Sequence, residues 1–286
     1  MGNFEGKTVF MSGGSRGIGL AIAEKLASEG ANIALIAKTD KPDPRLPGTI
    51  HTAAEAIEAA GGKALPIVGD IRDEQSVLAA VAKTVETFGG IDICLNNASA
   101  INLSAPGELP SKRYDLMMDI NSRGTFVVTQ ACIPHLRESS SAHVLTLSPP
   151  LDPDPKWLAT HAPYTLSKYG MSMLTLGFAA TERENGVAAN CLWPRTIIAT
   201  AAVQNLLGGD EAMSRARTPE ILADSAAVIL ARDPKECSGN TLLDDEVLIE
   251  AGITDLSVYR ATSDGDLILD VFVDGWGGLG PNGPIA

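Results

Sequence analysis

The stretch "KTVFMSGGSRGIG", Lys7 to Gly19, decides the fold. A short apolar run ends in a pair of glycines, and from residue 17 apolar positions recur at helical spacing, so the segment reads strand, turn, helix. Gly13, Gly17 and Gly19 follow a Gly-x3-Gly-x-Gly spacing. Glycines there allow a tight turn and let backbone approach a phosphate, while the helix that follows offers free N–H groups and the positive end of its dipole. Gly13, Ser15, Arg16, Gly17, Ile18 and Gly19 are therefore candidates to bind a dinucleotide. The same letters also spell Gly-x-Ser-x-Gly, with Ser15 as the nucleophile of a hydrolase elbow. That alternative needs several strands upstream and a downstream His and acid. Only one strand precedes Ser15, and no such pair stands out.

Outward from the turn, short apolar runs alternate with helical stretches. "NIALIA", "KALPIV", "IDICL", "HVLTLS", "VAANCL" and "NTLLDD" read as strands. Helices are expected at about 49–60, 73–88, 111–137, 163–184, 199–207 and 218–231. Continuous apolar strands suit a sheet covered on both faces, hence an α/β, Rossmann-type, doubly wound parallel sheet in one domain over residues 1–245. Residues 246–286 form a C-terminal extension without an assigned role. In it "DLSVYR" and "DLILDVFVDG" could be strands, and "GWGGLGPNGPIA" reads as loose.

Composition excludes several classes. The 286 residues carry a net charge of −13, which repels a nucleic-acid backbone. No apolar run is long enough to span a membrane. "MGNFEGKTVF" lacks a basic and then apolar leader, so a cytoplasmic protein is expected. Cys94, Cys132, Cys191 and Cys237 and the four histidines are scattered, with no metal-ligand spacing and no disulfide framework; no metal is expected.

Further pieces fall into order behind the turn: Asp70 in "VGDIRD", "NNAS" at 96–99, Asn121 in "MMDINSRGTF", Ser148 at the end of the fifth strand, and "PYTLSKYG" at 163–170. In that order the set resembles the short-chain dehydrogenase/reductase family over about residues 6–245. Text such as "NNASAINL", "LSPPL" and "PYTLSKYGMSM" is similar to the hydroxysteroid dehydrogenase-like 2 group. Some members of that group carry a sterol-carrier domain, for which this chain is expected to be too short. The resemblance implies Tyr164, Lys168, Ser148 and Asn121 as catalytic residues. It implies Asp70, Ile71 and Asn97 on the adenosine side of the cofactor, with Tyr164 and Lys168 contacting its nicotinamide end. A homo-oligomer, tetramer or dimer, built through the two long helices is also implied. Three positions depart from the family pattern: Ser12 for Thr, Ser99 for the glycine of "NNAG", and Pro194-Arg195 for Pro-Gly.

The chemistry follows from the residue types. Hydride transfer to a carbonyl must be matched by a proton, and tyrosine, ordinarily near pKa 10, needs help to supply it at neutral pH. Lys168 stands four residues after Tyr164, on the same helix face, where a cation favours the phenolate. Pro163 suits the first turn of that helix. By the resemblance, Ser148 positions the substrate oxygen and Asn121 supports a proton relay. The expected reaction interconverts a carbonyl and a secondary alcohol. A nucleotide-binding sensor without turnover is the alternative, disfavoured because a sensor has no use for the acid.

NADP(H) is expected over NAD(H), with NAD(H) still possible. The second strand ends "LIAKTD", with Ala37 where an NAD enzyme carries an acid. Lys38 and Arg16 are cations placed to reach a 2′-phosphate. The substrate is expected to be a small apolar molecule, of lipid, steroid or acyl type. The proline-rich segment between Ser148 and Tyr164, read as unable to form helix, is one cleft wall; Trp157, Leu158, Ile197 and Ile198 are its candidate apolar contacts. Arg195 is the competing feature, free to bind a carboxylate or phosphate.

Overall fold

The computed structural model describes residues 2–42, 48–263 and 265–284. Seven parallel strands lie in the order β3-β2-β1-β4-β5-β6-β7. They are β1 (Thr8–Ser12), β2 (Asn32–Ala37), β3 (Lys63–Val68), β4 (Ile93–Asn96), β5 (Ala142–Leu147), β6 (Val187–Trp193) and β7 (Thr241–Leu243). Strand residues alternate faces. Val9, Met11, Ile33, Leu35, Ile93, Leu95 and Leu145 enter one core, and Phe10, Ala34, Ile36, Cys94 and Val144 enter the other. Both faces are apolar because helices cover both. Helices α1 (Gly17–Ser28) and α2 (Ile50–Ala59) lie on the first face, and α3 (Glu74–Phe88) on the second. Pro66 has no N–H to give a ladder; it sits in β3, at the sheet edge, where none is required.

The long helix expected over 111–137 is three pieces: α4 (Ser111–Met117), a π-helical turn at Met118–Arg123, and α5 (Gly124–Leu136). The next helix, α6 (Pro155–Glu182), begins earlier than expected. The segment before Tyr164 is not free of helix. Pro155 occupies the first turn, where its missing N–H costs nothing, and the Asp154 side chain accepts from Lys156 N. The helix breaks at His161, with φ −148° and ψ 43°, and Pro163 opens its second part. After β6 come α7 (Ala201–Leu206), α8 (Gly209–Ser214), α9 (Glu220–Leu230) and, following β7, α10 (Asp244–Glu250). Two of these, α8 and α10, were not expected.

The extension folds back over the carboxyl ends of β6 and β7. The "DLSVYR" stretch contains a 3-10 turn at Ser257–Tyr259, not a strand. In "DLILDVFVDG" a single antiparallel bridge joins Leu269 to Thr196. The stretch expected to be loose forms a small hairpin, Leu279–Gly280 with Gly283–Pro284.

Candidate active site

Strand order reverses between β1 and β4, and a doubly wound sheet opens a crevice at the carboxyl ends of its strands there. A cleft of about 890 Å³ occupies that place. Gly13, Ser15, Arg16, Gly17, Ile18, Lys38, Asp70, Ile71 and Asn97 all line it. Gly13 has φ 76°, and a Cβ on it would lie 2.7 Å from Asn97 Nδ2. Gly19 differs from the expected role: it does not line the cleft. A Cβ there would lie 2.4 Å from the same nitrogen, so Gly19 lets α1 pack against the end of β4. The first turn of α1 carries no side-chain cap, which leaves its N–H groups free for an anion. A backbone cradle open to solvent, an uncapped helix end and a flanking guanidinium fit a dinucleotide pyrophosphate. Ser12 keeps the work of the usual threonine: its Oγ accepts from Ala98 N at 3.3 Å, tying β1 to β4.

At the outer end of the cleft, Arg16 Nη2 donates to Thr39 Oγ1 at 3.1 Å and to the Gly48 carbonyl at 3.2 Å. Lys38 Nζ is 3.2 Å from Asp70. Arg72 grips the same carboxylate through Nε and Nη2, the latter at 2.6 Å. The Arg72 guanidinium, aided by Lys38, holds Asp70 well below the usual carboxylate range. Five residues of the proline-rich loop after Lys38, 43–47, lie outside the described residues. Thr200, at the start of α7, also lines the cleft, facing Gly17. Its signal in the sequence is a threonine directly before a helix.

The other named residues do not line the cleft: they gather behind its inner end, where Asn121 bonds to Ala100, between the lining residues Ser99 and Ile101, and Ile101 packs in the cluster of Tyr164. On α6, Lys168, Ser172 and Thr175 form one stripe that stitches the helix to the end of β5. Lys168 Nζ donates to the Leu147 carbonyl at 2.9 Å, Ser172 Oγ to the Pro149 carbonyl at 2.6 Å, and Thr175 Oγ1 to Thr146 Oγ1 at 2.8 Å. Tyr164 begins this stripe, four residues before Lys168. Tyr164, Lys168 and Ser148 are all buried. Among the described residues Ser148 Oγ makes no well-formed hydrogen bond, and the Cys191 thiol lies beside it. Asn121 falls in the π turn, and its side chain is fully engaged. Its oxygen accepts from Ala100 N at 2.7 Å, and its amide donates to the Ala100 carbonyl and to Ser167 Oγ, both at 2.9 Å.

The electrostatics differ from the expectation for the Tyr–Lys pair. Burial, with the Asp270 carboxylate adding to it, pushes the Tyr164 hydroxyl up. Burial pushes Lys168 down to about 7. The ammonium faces the Leu147 carbonyl and lies 5.1 Å from the Trp193 ring centre, and it does not offset the desolvation of Tyr164.

The extension supplies the remaining wall. The Asp270 N–H donates to the Arg195 carbonyl at 2.9 Å, and Trp193 Nε1 donates to the Val271 carbonyl at 2.9 Å. Phe272 stacks on Tyr164 at 6.0 Å between ring centres. Its φ is 72°, the only positive value at a non-glycine position among the described residues. For a bulky side chain that conformation costs roughly 1–3 kcal/mol and persists only where its surroundings enforce it.

Arg195 is not free to take up an acidic substrate. Its Nε donates to Asp245 at 2.6 Å, its Nη1 to the Gly275 carbonyl at 3.0 Å and its Nη2 to Glu246 at 2.5 Å, with only 2% of the side chain exposed. Arg217 is 3.5 Å from the same Asp245 and donates to the Pro281 carbonyl. Burial beside Asp245 pushes Asp244 up to about 7. Of the other expected wall residues, Trp157 packs on Phe272, Ile197 and Ile198 are buried, and Leu158 is 45% exposed.

A parallel sheet with a glycine turn at its switch point, and a Tyr-x3-Lys helix behind the serine that follows β5, define a nucleotide-binding oxidoreductase. The chain belongs to the short-chain dehydrogenase/reductase family: the profile described as "short chain dehydrogenase" matches residues 7–210. A short chain dehydrogenase from Mycobacterium thermoresistibile is 59% identical, with a TM-score of 0.91 over 98% of each chain. Hydroxysteroid dehydrogenase-like protein 2 of Xenopus tropicalis is 52% identical over 96% of this chain, and that of Homo sapiens is 50% identical over the same share. This chain spans 65% of the length of each of those two relatives.

Proposed function

We propose that the protein is an NADP(H)-dependent reductase and dehydrogenase that interconverts a carbonyl and a secondary alcohol on a small apolar substrate. The observation that carries this reading is the face of α6, which sets Tyr164 and Lys168 against the strand end bearing an unengaged, buried Ser148 hydroxyl. The bound dinucleotide supplies or accepts the hydride. In this reading Gly13, Ser15, Arg16, Gly17 and Ile18 hold its phosphates, Asp70, Ile71 and Asn97 its adenosine side, and Gly19 keeps the turn closed against Asn97. Ser148 donates to the substrate oxygen and fixes it beside Tyr164. Tyr164 delivers or takes the proton at that oxygen. Lys168, pushed down to about 7, exchanges a proton near neutrality, and in its charged form it favours the phenolate. Asn121 acts by holding the π turn against the loop at Ala100, which places Ser167 and α6.

An apolar substrate is supported by the cluster around Tyr164, made of Met117, Trp193, Phe272 and Val273. The four described cysteines are free, in keeping with a reducing, cytoplasmic setting, and no described helix is long and apolar enough to cross a membrane. Phe126 on α5 and Leu166 and Met173 on α6 are exposed apolar side chains, which supports a homo-oligomer through the long helices; light scattering in solution tests it. The enzymatic reading is tested by NADPH oxidation against a panel of ketones and aldehydes. Saturable turnover on apolar members supports it. Binding of NADPH without turnover on any member would leave a sensor instead.

A further inference from the structure

We propose that Phe272, delivered by the C-terminal extension, is the specificity-determining residue of the substrate site and restricts turnover to carbonyl compounds whose group on that side is small and apolar. The proposal rests on the oxidoreductase reading above. Its ground is where the ring sits and how firmly it is held.

The cofactor cleft ends inward at Ser99 and Ile101. Ile101 also packs in the cluster that contains Tyr164 and Phe272, so this cluster adjoins the inner end of the cleft. Neither Tyr164 nor Phe272 lines the open cleft itself, and in the oxidoreductase reading a carbonyl approaches the Tyr164 hydroxyl from this side. Phe272 fills this space: its ring lies within 6.0 Å, centre to centre, of Trp157, His161, Tyr164, Tyr169 and Trp193. It runs nearly parallel to Tyr164, at 26°.

The backbone on both sides of the ring is tethered. Before it, the Ile197 N–H donates to the Ile268 carbonyl at 3.0 Å, and residues 270 and 271 are bonded to Arg195 and Trp193. After it, Asp274 pairs with Lys156, and the Gly275 carbonyl accepts from the buried Arg195 guanidinium. A phenyl ring held by anchors on either side, in a left-handed conformation, is a fixed wall. A fixed wall discriminates by size, because an interior that is close-packed cannot yield to an extra group without displacing side chains. The selection is then steric and apolar, and it comes from the part of the chain outside the region matched by the family profile.

The test measures kcat/KM with NADPH for methyl ketones whose second group grows from ethyl through cyclohexyl to naphthyl. The proteins are the wild type, Phe272→Leu, Phe272→Ala and Phe272→Gly, each checked for a folded melting transition and for NADPH binding by fluorescence titration. Glycine accepts the φ of 72°, so Phe272→Gly reads the loss of the ring even if Phe272→Ala fails to fold. We expect Phe272→Ala or Phe272→Gly to raise the naphthyl-to-ethyl ratio by about 10-fold or more, the scale on which apolar pockets discriminate, and Phe272→Leu to leave it within about 3-fold. An unchanged ratio, or rates that fall together for every ketone, would overturn the proposal and make Phe272 a structural filler. If wild type and variants all bind NADPH and reduce no ketone, the oxidoreductase reading falls and takes this inference with it.

Discussion

The two ends of the active cleft solve opposite problems. At the outer end, around Arg16, Lys38 and Asp70, charge is kept in contact with water, and cations hold a carboxylate ionised. At the inner end, around Tyr164, Lys168 and Asp270, charge is densely surrounded by protein, and desolvation drives each group toward its neutral form. The outer end is built from the first half of the Rossmann sheet. The inner end is closed by a tail that folds back from beyond residue 244. The contrast implies that changes at the inner end act on turnover and stability, whereas changes at the outer end act on the choice of cofactor.

The largest effect tests the inner end directly. Tyr164→Phe keeps the ring that packs on Phe272 and deletes the acid. Turnover should fall by about 10²- to 10⁴-fold, the usual contribution of a positioned acid. The NADPH dissociation constant, read by fluorescence titration, should hardly move. Wild-type turnover in this variant would remove Tyr164 from the mechanism.

Next in size is the ionic clamp beneath the tail. Arg195→Ala leaves Asp245, fully enclosed, with the Glu246 N–H and the longer contact to Arg217, its remaining cation among the described residues. Breaking a buried pair in this way costs about 3–5 kcal/mol. The melting temperature should drop by about 10 °C, and protease should cut the tail sooner than the sheet. Arg195→Lys should rescue little, because one ammonium cannot serve Asp245, Glu246 and the Gly275 carbonyl together. If Arg195→Ala melts like the wild type, the tail is not clamped there.

How much of each end could be read in the sequence follows the same division. The glycine turn, Ala37 and the Tyr-x3-Lys pair were legible because each depends on neighbours within a few residues. The start of α6 was misread as non-helical because four prolines were counted, although "DP" is also an N-cap followed by a first-turn proline. Phe272 and the role of Arg195 were not legible at all. The partners of Arg195 lie 50 to 80 residues away in sequence, at Asp245 and Gly275, and Tyr164 lies farther still from Phe272; no periodicity reports such contacts. The lowering of Tyr164 by Lys168 was read from spacing alone, and spacing carries no information about desolvation.

A smaller effect concerns pH. Asp270 reaches the surface in part but is densely surrounded by protein, which pushes its carboxyl up to about 7; Asp244 adds to this and Lys168 opposes it. Between the unfolded value of 3.8 and about 7 the native state binds more protons than the unfolded state, so this group lowers stability as pH rises through that window. Asp70 has the opposite sign: its folded value is depressed, so its contribution is present above 3.8 and lost as pH falls below it. Asp270→Asn keeps an oxygen for the Val271 N–H and removes the charge. Relative to wild type it should gain about 2 kcal/mol between pH 4 and pH 8, partial exposure keeping this below the full linkage value. Urea unfolding at the two pH values measures it. A parallel offset at both would mean that Asp270 is ionised throughout.

The smallest effect belongs to the outer end and concerns the choice of cofactor. Ala37 leaves no acid at the end of β2 to repel a 2′-phosphate. The two nearby cations are not equivalent in the structure. Lys38 is 56% exposed and already paired with Asp70, so part of its charge is spent before a phosphate arrives. Among the described residues Arg16 is bonded to neutral oxygens, of Thr39 and Gly48, at the rim of the cleft, which orients its planar fork. Arginine in such a position binds phosphate with two hydrogen bonds. Arg16→Ala should therefore lower kcat/KM for NADPH by about 10-fold, equivalent to about 1.4 kcal/mol, and leave NADH nearly unchanged. Lys38→Ala should cost only about 3-fold, because removing it also frees Asp70 to pair with Arg72 alone. Ala37→Asp should shift preference toward NADH by adding the carboxylate that a ribose hydroxyl can use. Paired kinetics with both cofactors test all three. Equal use of NADH and NADPH by the wild type would show that the charge of Arg16 does not select the cofactor.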